Sequence, residues 1–395
     1  MSSFQALATA IAAQVGTGNI AGCASALVSG GPGAVFWMWV SAFFGMATIY
    51  GEAILAQKYK TVGEDGAVSG GPIYYIKAAF KGKLGTFMAG FFAVAIILAL
   101  GFMGNMVQSN SIGDAFFTAF GVPKIAVGIV VAAVSAFIFL GGVKRIAAIT
   151  EKLVPIMAIF YICGALIAIG MNAQNILPAF KSIFVGAFSP EAVMGGAIGI
   201  SIKEAVRFGV ARGLFSNEAG MGSTPHAHAM AKVAKPQDQG VVAMIGVFID
   251  TFIVLTMTAM VILTSGVLGT TGADGQMLTA TALAQAAFNN SFGSFGNIFV
   301  AMCLLFFAFS TIIGWYFFGE ANVKALFKGS KKATAAYGVI ALVFIVVGSF
   351  QKVGLVWDMS DMFNGLMVIP NLLAVLALSG IVAKFAKDDT YRGND

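Results

Sequence analysis

A run of small and polar residues interrupts the first apolar stretch of the sequence, Gly16-Thr17-Gly18-Asn19-Ile20-Ala21-Gly22. Glycine, threonine and asparagine are poor helix formers, so the run predicts a break in a membrane-spanning helix. A break at that depth is tolerated only where the backbone is buried in protein or lines a wet cavity. Its free N–H groups suit a carboxylate, and its free carbonyls suit a cation. The same glycines could instead form a close helix contact, and the sequence leaves both interpretations open.

A second glycine-rich interruption lies at Gly195-Gly196-Ala197-Ile198-Gly199-Ile200-Ser201. It falls in the sixth apolar segment, the first of a second set of five. Breaks in segments one and six are typical of two five-helix repeats of inverted topology, with a binding site near the bilayer midplane where the repeats meet. We therefore predict one transporter domain over residues 1–395, with repeats at about 4–171 and about 191–386.

Two further segments carry polar side chains that need partners inside a membrane. Asn105 and Gln108 are three residues apart and share one helix face. The adjacent hydroxyls of Ser310 and Thr311 are hard oxygen ligands for a small cation, and Trp315 follows about one turn later. Helical hydroxyls often only bond to the preceding turn, and buried amides often only hold helices together. The structural interpretation therefore stays open for both groups.

Four carboxylates lie in or near the apolar segments: Glu52, Asp114, Asp250 and Glu320. Ionisable groups at membrane depth are costly and commonly functional. Asp114 and Glu320 lie close to predicted segment ends, where solvent or a cap explains them. Asp250 lies in the middle of segment seven, so it is open to a role as a proton relay or as the structural partner of an arginine.

The histidines and cysteines do not form a metal-binding pattern. His226 and His228 are two residues apart in a loop, which does not place them on one helix face. Cys23, Cys163 and Cys303 all lie in apolar runs, and we expect buried free thiols. We predict no resident metal and no cofactor.

The elements that position these residues must be membrane helices. The 395 residues are 58% hydrophobic and 10% charged, against about 25% charged in soluble domains, which excludes soluble enzymes and DNA-binding proteins. The stretch 353–363 carries two aspartates and is too short to span, so we expect a surface helix there. Ten segments have roughly the length that spans a bilayer, at residues 4–28, 34–56, 86–119, 124–141, 146–171, 192–213, 241–268, 295–318, 333–350 and 365–385.

Positive charge predicts the orientation of these segments. Ten spans place both termini on one side, and every lysine and arginine except Lys124, Lys181 and Lys352 falls in loops or helix ends on that side. Because cytoplasmic loops are enriched in lysine and arginine, we predict cytoplasmic termini and a multi-pass protein of the cell (inner) membrane.

Several motifs together resemble one family of amino acid carriers. The most specific is GVARGLFSNEAGMGS at 209–223, and the first interruption, GTGNIAG at 16–22, adds to it. GGPG at 30–33, FWMW at 36–39, GNMVQ at 104–108 and IPNL at 369–372 extend the resemblance over nearly the whole chain. The sequence resembles the alanine or glycine:cation symporter family.

This resemblance implies a fold and a function. The implied fold is an all-α membrane protein with ten helices in a five-plus-five inverted repeat of the leucine-transporter type, in which helices one and six are broken. The implied function is symport of alanine, glycine or close relatives with sodium, which is a co-substrate. Family members usually carry one more helix before the GTGN motif, so we expect upstream sequence to be missing.

The resemblance also implies roles for individual residues. The amides of Thr17 and Gly18, with Asn19, would bind the substrate carboxylate, and Trp315 would close the pocket. The implied substrate-binding residues are Thr17, Gly18, Asn19, Asn105, Gln108, Gly199, Ile200 and Trp315. The implied sodium ligands are the hydroxyls of Ser310 and Thr311 and the carbonyls of Ala12, Val15 and Phe307. Asn217 and Glu218 would control closure on the cytoplasmic side, with structural capping as the alternative.

Two other functions remain as alternatives. A proton-coupled amino acid transporter would use Asp250 as its relay. An ion channel would need a continuous polar lining, which the sparse intramembrane charges disfavour, and no nucleophile–base set indicates an enzyme. The predicted partners are the amino acid, sodium and the lipid bilayer, and we expect a monomer that does not bind nucleic acid.

Overall fold

The computed structural model describes residues 1–62, 68–190, 201–272, 275–388 and 390–391, and these are almost entirely helical. One short antiparallel hairpin pairs β1 (Thr61–Val62) with β2 (Val68–Ser69). The α-helices are α1 (Ser3–Gln14), α2 (Cys23–Gly30), α3 (Gly33–Tyr59), α4 (Pro72–Ala79), α5 (Gly82–Ile96), α6 (Asn105–Phe120), α7 (Lys124–Phe139), α8 (Gly142–Met171), α9 (Ile176–Phe188), α10 (Ile202–Asn217), α11 (Pro225–Ala229), α12 (Pro236–Val247), α13 (Thr256–Ser265), α14 (Ala280–Phe292), α15 (Phe295–Leu326), α16 (Lys331–Ser349), α17 (Val353–Ala377) and α18 (Ser379–Lys387). Wider π-helical turns occupy Gly18–Gly22, Ile97–Gly104 and Phe248–Leu255, and Ala173–Asn175 forms a 3-10 turn.

Among the described residues, seven helical stretches are long and apolar enough to cross a membrane. They are Gly33–Tyr59, Gly82–Phe120, Gly142–Met171, Pro236–Ser265, Phe295–Leu326, Lys331–Ser349 and Val353–Ala377. Ser3–Gln14 and Gly18–Gly30 add an eighth as a pair bent by 47°, and Lys124–Phe139 is a shorter apolar helix. The predicted segment 192–213 and its glycine interruption fall largely on 191–200, outside the described residues, so the count of ten remains a prediction.

The C-terminal region differs from the expected arrangement. Residues 353–363 do not form a separate surface helix, because α17 runs unbroken from Val353 to Ala377 and α18 follows it as a separate helix. Two aspartates made 353–363 resemble a solvated surface, but Asp361 is paired within the protein. Both of its carboxylate oxygens accept hydrogen bonds from Arg212 Nη1, at 2.7 and 2.8 Å. The Arg212 guanidinium also lies 4.4 Å from the ring centre of Trp357.

The outer surface of the spanning helices is apolar, as a lipid-facing surface must be. Exposed side chains such as Phe44, Phe87 and Ile167 cover it. Cys23 and Cys303 are buried as expected, but the prediction of a buried Cys163 was wrong, since this thiol faces outward from α8. An apolar run does not predict burial in a membrane protein, because apolar residues suit the lipid-facing side equally well.

Close helix contacts depend on glycines that leave no room for a side chain. α3 packs against α9 and α10. A Cβ at Gly33 would lie 2.1 Å from the carbonyl oxygen of Gly186, and a Cβ at Gly209 would lie 2.5 Å from that of Ala34. These three helices therefore approach each other at backbone distance.

We predict that Gly33→Ala destabilises the protein by about 1 to 3 kcal/mol, because the new methyl group overlaps main chain that cannot move aside as a side chain can. Gly90→Ala is the matched control, since no atom lies within 4 Å of a Cβ at that position. Size-exclusion chromatography after stepwise heating measures the midpoint of each variant. Equal midpoints for both variants would contradict the close contact.

Candidate functional site

The predicted break in the first segment is present. α1 ends at Gln14, and Val15 leaves the helical region with a ψ of 88°. The chain resumes as a π-turn at Gly18, and the two halves are bent by 47°. Thr17 and Asn19 are completely buried. The unwound backbone is therefore enclosed by protein, as the bilayer requires.

The carbonyl end of the break faces the two hydroxyls on α15. Ser310 and Thr311 both donate to the Ala12 carbonyl, at 3.1 and 3.0 Å, and to the Phe307 carbonyl, at 2.8 and 3.1 Å. The Ala12 carbonyl lacks its helical partner because the amide of Gly16 donates elsewhere. Four of the five predicted sodium ligands thus share one cluster of oxygen atoms.

This cluster has chemistry that suits a small cation. Hydroxyl and carbonyl oxygens are hard ligands, and the carbonyl end of a helix carries partial negative charge. The fifth predicted ligand, Val15, directly follows α1 as its C-cap, and its amide donates to the Ile11 carbonyl at 2.7 Å. Among the described residues no group of three or more His, Cys, Asp or Glu side chains could hold a metal, so these neutral oxygens are the cation-binding candidates.

The amide end of the break faces α6. The Thr17 amide donates to Gln108 Oε1 at 3.0 Å, and Asn105 Nδ2 donates to the Gly101 carbonyl at 3.0 Å. Three buried atoms here have no hydrogen-bond partner among the described residues: Thr17 Oγ1, Gln108 Nε2 and Asn105 Oδ1. Buried polar atoms without a partner are costly, so each one indicates a ligand or water at this position.

Asn19 is held inside the protein by a buried carboxylate. Its Oδ1 accepts from the Gly16 amide at 2.9 Å, and its Nδ2 donates to Asp250 Oδ1 at 2.6 Å and to the Asp250 carbonyl at 3.1 Å. Ser216 donates to the same Asp250 oxygen at 3.0 Å, and Thr251 donates to the other at 2.9 Å. The described partners of Asp250 are thus neutral donors rather than the arginine that the sequence suggested.

The three π-turns accompany this site. Gly18–Gly22 contains Asn19, Phe248–Leu255 contains Asp250, and Ile97–Gly104 ends directly before Asn105. π-turns inside helices are often found at functional sites, because they widen the helix and redirect its side chains. The sequence analysis predicted neither these turns nor the hydrogen bonds from Ser216 and Thr251 to Asp250.

The segment that follows α10 is fastened to α15. Glu218 caps α10 in the left-handed region, with φ 58° and ψ 9°. Its Oε1 accepts from Trp315 Nε1 at 2.6 Å, and its Oε2 accepts from the Ser223 hydroxyl. The Asn217 carbonyl accepts from Gln14 Nε2 at 2.7 Å. Trp315 is therefore buried with its polar edge turned towards Glu218, and its predicted role over the substrate remains a prediction.

Glu52 fastens the same segment from α3, a contact that the sequence did not predict. Its two oxygens accept from the amides of Gly220 and Gly222 at 3.1 and 3.0 Å. Asn371 Nδ2 donates to Glu52 at 2.5 Å and to the Gly220 carbonyl at 2.9 Å. Both glycines have positive φ, which turns their amides towards one carboxylate, and residues other than glycine rarely adopt this conformation.

The other ionisable residues that the sequence analysis named have structural partners. His226 and His228 lie in α11, outside the spanning helices, and bond to neighbouring protein groups. Burial lowers the pKa of each imidazole from 6.5 to about 4. Asp114 pairs with Lys124. Glu320 pairs with Lys324 at 2.9 Å.

Two predicted substrate-binding residues cannot be placed in this site. Gly199 and Ile200 lie outside the described residues, so their assignment remains a prediction.

Gly18, a third predicted substrate-binding residue, is placed by the structure. It packs against α10, and a Cβ on Gly18 would lie 3.1 Å from the Cα of Ser216.

We predict that Trp315→Phe destabilises the protein by about 1 to 3 kcal/mol, because it keeps a ring but leaves a buried Glu218 oxygen without its donor. Glu218→Gln should cost less, since an amide can accept from Trp315 and donate to Ser223. The double variant should lose less than the sum of the two single losses. Thermal midpoints of the four proteins give the coupling, and strict additivity would argue against this hydrogen bond.

Known proteins are similar to this chain in sequence and in architecture. The sodium:alanine symporter family matches residues 1–394. The sodium/alanine symporter AgcS of Methanococcus maripaludis is 44% identical over 388 residues, which cover 98% of this chain and 84% of AgcS. The probable sodium/glutamine symporter GlnT of Bacillus subtilis is 43% identical over 390 residues, which cover 99% of this chain and 79% of GlnT.

Solved structures confirm the predicted fold class. The crystal structure of MhsT in complex with L-phenylalanine has a TM-score of 0.66 and 15% identity, and the match covers 97% of this chain and 96% of MhsT. At this identity the likeness concerns the fold alone, which is the leucine-transporter type. A broken first helix and a match along nearly the entire length agree with the resemblance found in the motifs. The chain is a multi-pass membrane protein that belongs to the sodium:alanine symporter family.

Proposed function

We propose that this protein imports small neutral amino acids such as alanine and glycine together with sodium, by alternating access. The observation that carries the substrate class is the set of unpartnered polar atoms at the break, on Thr17, Asn105 and Gln108. Gln108 Nε2 is a donor suited to a carboxylate, and Asn105 Oδ1 is an acceptor suited to an ammonium group. A compact zwitterion presents both groups.

Small size follows from the packing around these atoms. A Cβ at Gly16 would lie 2.3 Å from Thr311 Oγ1, and a Cβ at Gly104 would lie 2.4 Å from the Trp315 ring. Trp315 also packs edge-on to Phe215, with ring centres 5.6 Å apart. A substrate with a long side chain would collide with the rings of Trp315 and Phe215.

The names of AgcS and GlnT, a sodium/alanine and a probable sodium/glutamine symporter, support an amino acid and sodium as the cargo.

Sodium would bind at the carbonyl end of the break. The carbonyls of Ala12 and Phe307 and the hydroxyls of Ser310 and Thr311 already converge there. The hydroxyls would turn their lone pairs towards the ion. Entry of one charge down about 100 mV supplies roughly 2.3 kcal/mol, and the sodium gradient adds to it. Because the two ends of the same break contribute to both sites, the ion would stabilise the break that binds the amino acid.

Closure towards the cytoplasm would involve the segment 217–223. Glu218, bonded to Trp315, and Glu52, bonded to Gly220 and Gly222, hold this segment against α15 and α3. Inward opening would require these bonds to separate. Cytoplasmic termini, a monomeric carrier and transport without chemical conversion of the substrate belong to the same proposal, as does location in the cell membrane.

Proton coupling is the alternative, and Asp250 is the group that would carry it. The described partners of Asp250 are donors that fasten Asn19, Ser216 and Thr251 to one carboxylate. This geometry favours a structural role. In proteoliposomes with a sodium gradient and no pH gradient, we expect Asp250→Asn to retain sodium-dependent alanine uptake. Uptake by the unaltered protein that follows a pH gradient rather than a sodium gradient, and that Asp250→Asn abolishes at normal yield and monodispersity, would favour the proton mechanism.

The sodium assignment has its own test. We predict that the double substitution Ser310→Ala and Thr311→Ala raises the sodium concentration for half-maximal uptake about tenfold or more, because two hard oxygen ligands are removed. Ser135→Ala is the matched control, since this buried hydroxyl lies on α7. Uptake of labelled alanine into proteoliposomes gives both values. An unchanged sodium dependence in the double variant would remove these hydroxyls from the site.

A further inference from the structure

A cavity separate from the central site lies further along α6 and is called here the second cavity. Its volume is about 290 Å³, and its lining includes Asp114 on α6, Lys124 on α7 and Thr281 and Gln285 on α14. Asp114 is about 9 Å further along α6 than Gln108. Lys124 is one of the few basic residues on the predicted outer side. The cavity thus lies between the central site and that side.

The cavity presents one negative and one positive group. The Lys124 ammonium pairs with Asp114 Oδ1, and the two side chains are 35% and 19% exposed. Asp114 Oδ1 itself is buried in the contact with Lys124, so the accessible part of the pair is the rest of the two side chains. A partly exposed ion pair is held weakly. A zwitterion carries the same two charges, so its ammonium and carboxylate groups can replace the contact between Lys124 and Asp114. Its ammonium would meet Asp114, and its carboxylate would meet Lys124.

Gln285 provides an independent sign of a ligand. The side chain is 1% exposed, and its Nε2 donates to the carbonyls of Ala115 and Asn297 at 3.1 and 3.3 Å. These bonds fix the amide and leave Oε1 as an acceptor without a partner among the described residues. A buried acceptor of this kind requires a donor, and the ammonium group of an amino acid supplies one.

The backbone at the edge of this cavity is also unusual. Ala280, at the start of α14, has a φ of 47°. A residue other than glycine in this region carries strain, and such strain concentrates at ligand sites. An ion pair that only joined α6 to α7 would explain neither this strain nor the Gln285 oxygen.

We propose that this cavity is a capture site for the zwitterionic amino acid, separate from the central site, with Asp114 and Gln285 holding the ammonium group and Lys124 the carboxylate. The proposal rests on the amino acid transport proposed above. The capture site lies outside the sodium cluster, so it binds alanine without sodium.

The test uses a thiol introduced at Thr118, an exposed residue that lines the cavity. Cys163→Ala provides the background, because Cys23 and Cys303 are buried and Cys163 is the exposed native thiol. Labelling by a polar thiosulfonate is followed over time in sodium-free buffer with increasing alanine. We expect alanine to slow labelling at this thiol. The matched control is Ser294→Cys, an exposed position outside the cavity lining, where alanine should have no effect.

Two substitutions distinguish the two sites. Gln108→Ala should leave the protection intact, whereas Asp114→Asn should weaken it about tenfold, because a charge-assisted hydrogen bond is lost. Lys124→Gln serves as a second variant in case Asp114→Asn yields little folded protein. Alaninamide and propionate, which each lack one charge, should protect less than alanine.

Absent protection at the Thr118 position, or protection that disappears with Gln108→Ala or needs sodium, would overturn the capture site. Failure of the proposed function has a different signature. In that case labelling would still be slowed by alanine, but proteoliposomes would show no sodium-dependent uptake.

Discussion

The structure depends on one constraint: the backbone groups that are freed where the first helix breaks must find partners inside a bilayer, where water is scarce. The Gly16 amide donates to Asn19, and the Thr17 amide donates to Gln108. The Ala12 carbonyl accepts from both hydroxyls on α15. Gln108 and the two hydroxyls come from distant parts of the chain, so these bonds link α6 and α15 to the break.

Three buried carboxylates extend this arrangement. Glu52, Glu218 and Asp250 are completely buried, and their described hydrogen-bond partners are backbone amides, hydroxyls, side-chain amides and one indole. Neutral donors of this kind lower the cost of burial without forming an ion pair. Asp250 fastens the break, and Glu52 and Glu218 fasten the segment after α10. The substrate region and the proposed closure segment are therefore linked by directional bonds, which favour discrete open and closed states over gradual deformation.

The two proposed amino acid sites differ in the charge of the groups that would bind the substrate. At the break the available groups are neutral donors and acceptors, so affinity there depends on geometry and on the adjacent cation cluster. In the second cavity Asp114 and Lys124 form an ion pair that remains partly exposed, so binding there would be weaker and faster. A weak charged site before a selective neutral one would raise the local concentration of zwitterions without trapping them.

Much of this protein could be read from local sequence. Composition and apolar segments identified a membrane protein, the glycine-rich run located the first break, and the motif at 209–223 indicated the family, which the relatives confirm. The adjacent hydroxyls of Ser310 and Thr311 also stood out locally. The tertiary structure decided what lies opposite each of these groups. It paired Ser310 with Ala12, Asp250 with Asn19 and Glu52 with two glycine amides. It also placed Asp361 against Arg212 in a continuous α17 and turned Cys163 outward. The physical reason is that hydropathy and helix propensity act over a few neighbouring residues, whereas the partner of a buried polar group depends on which distant helices pack together.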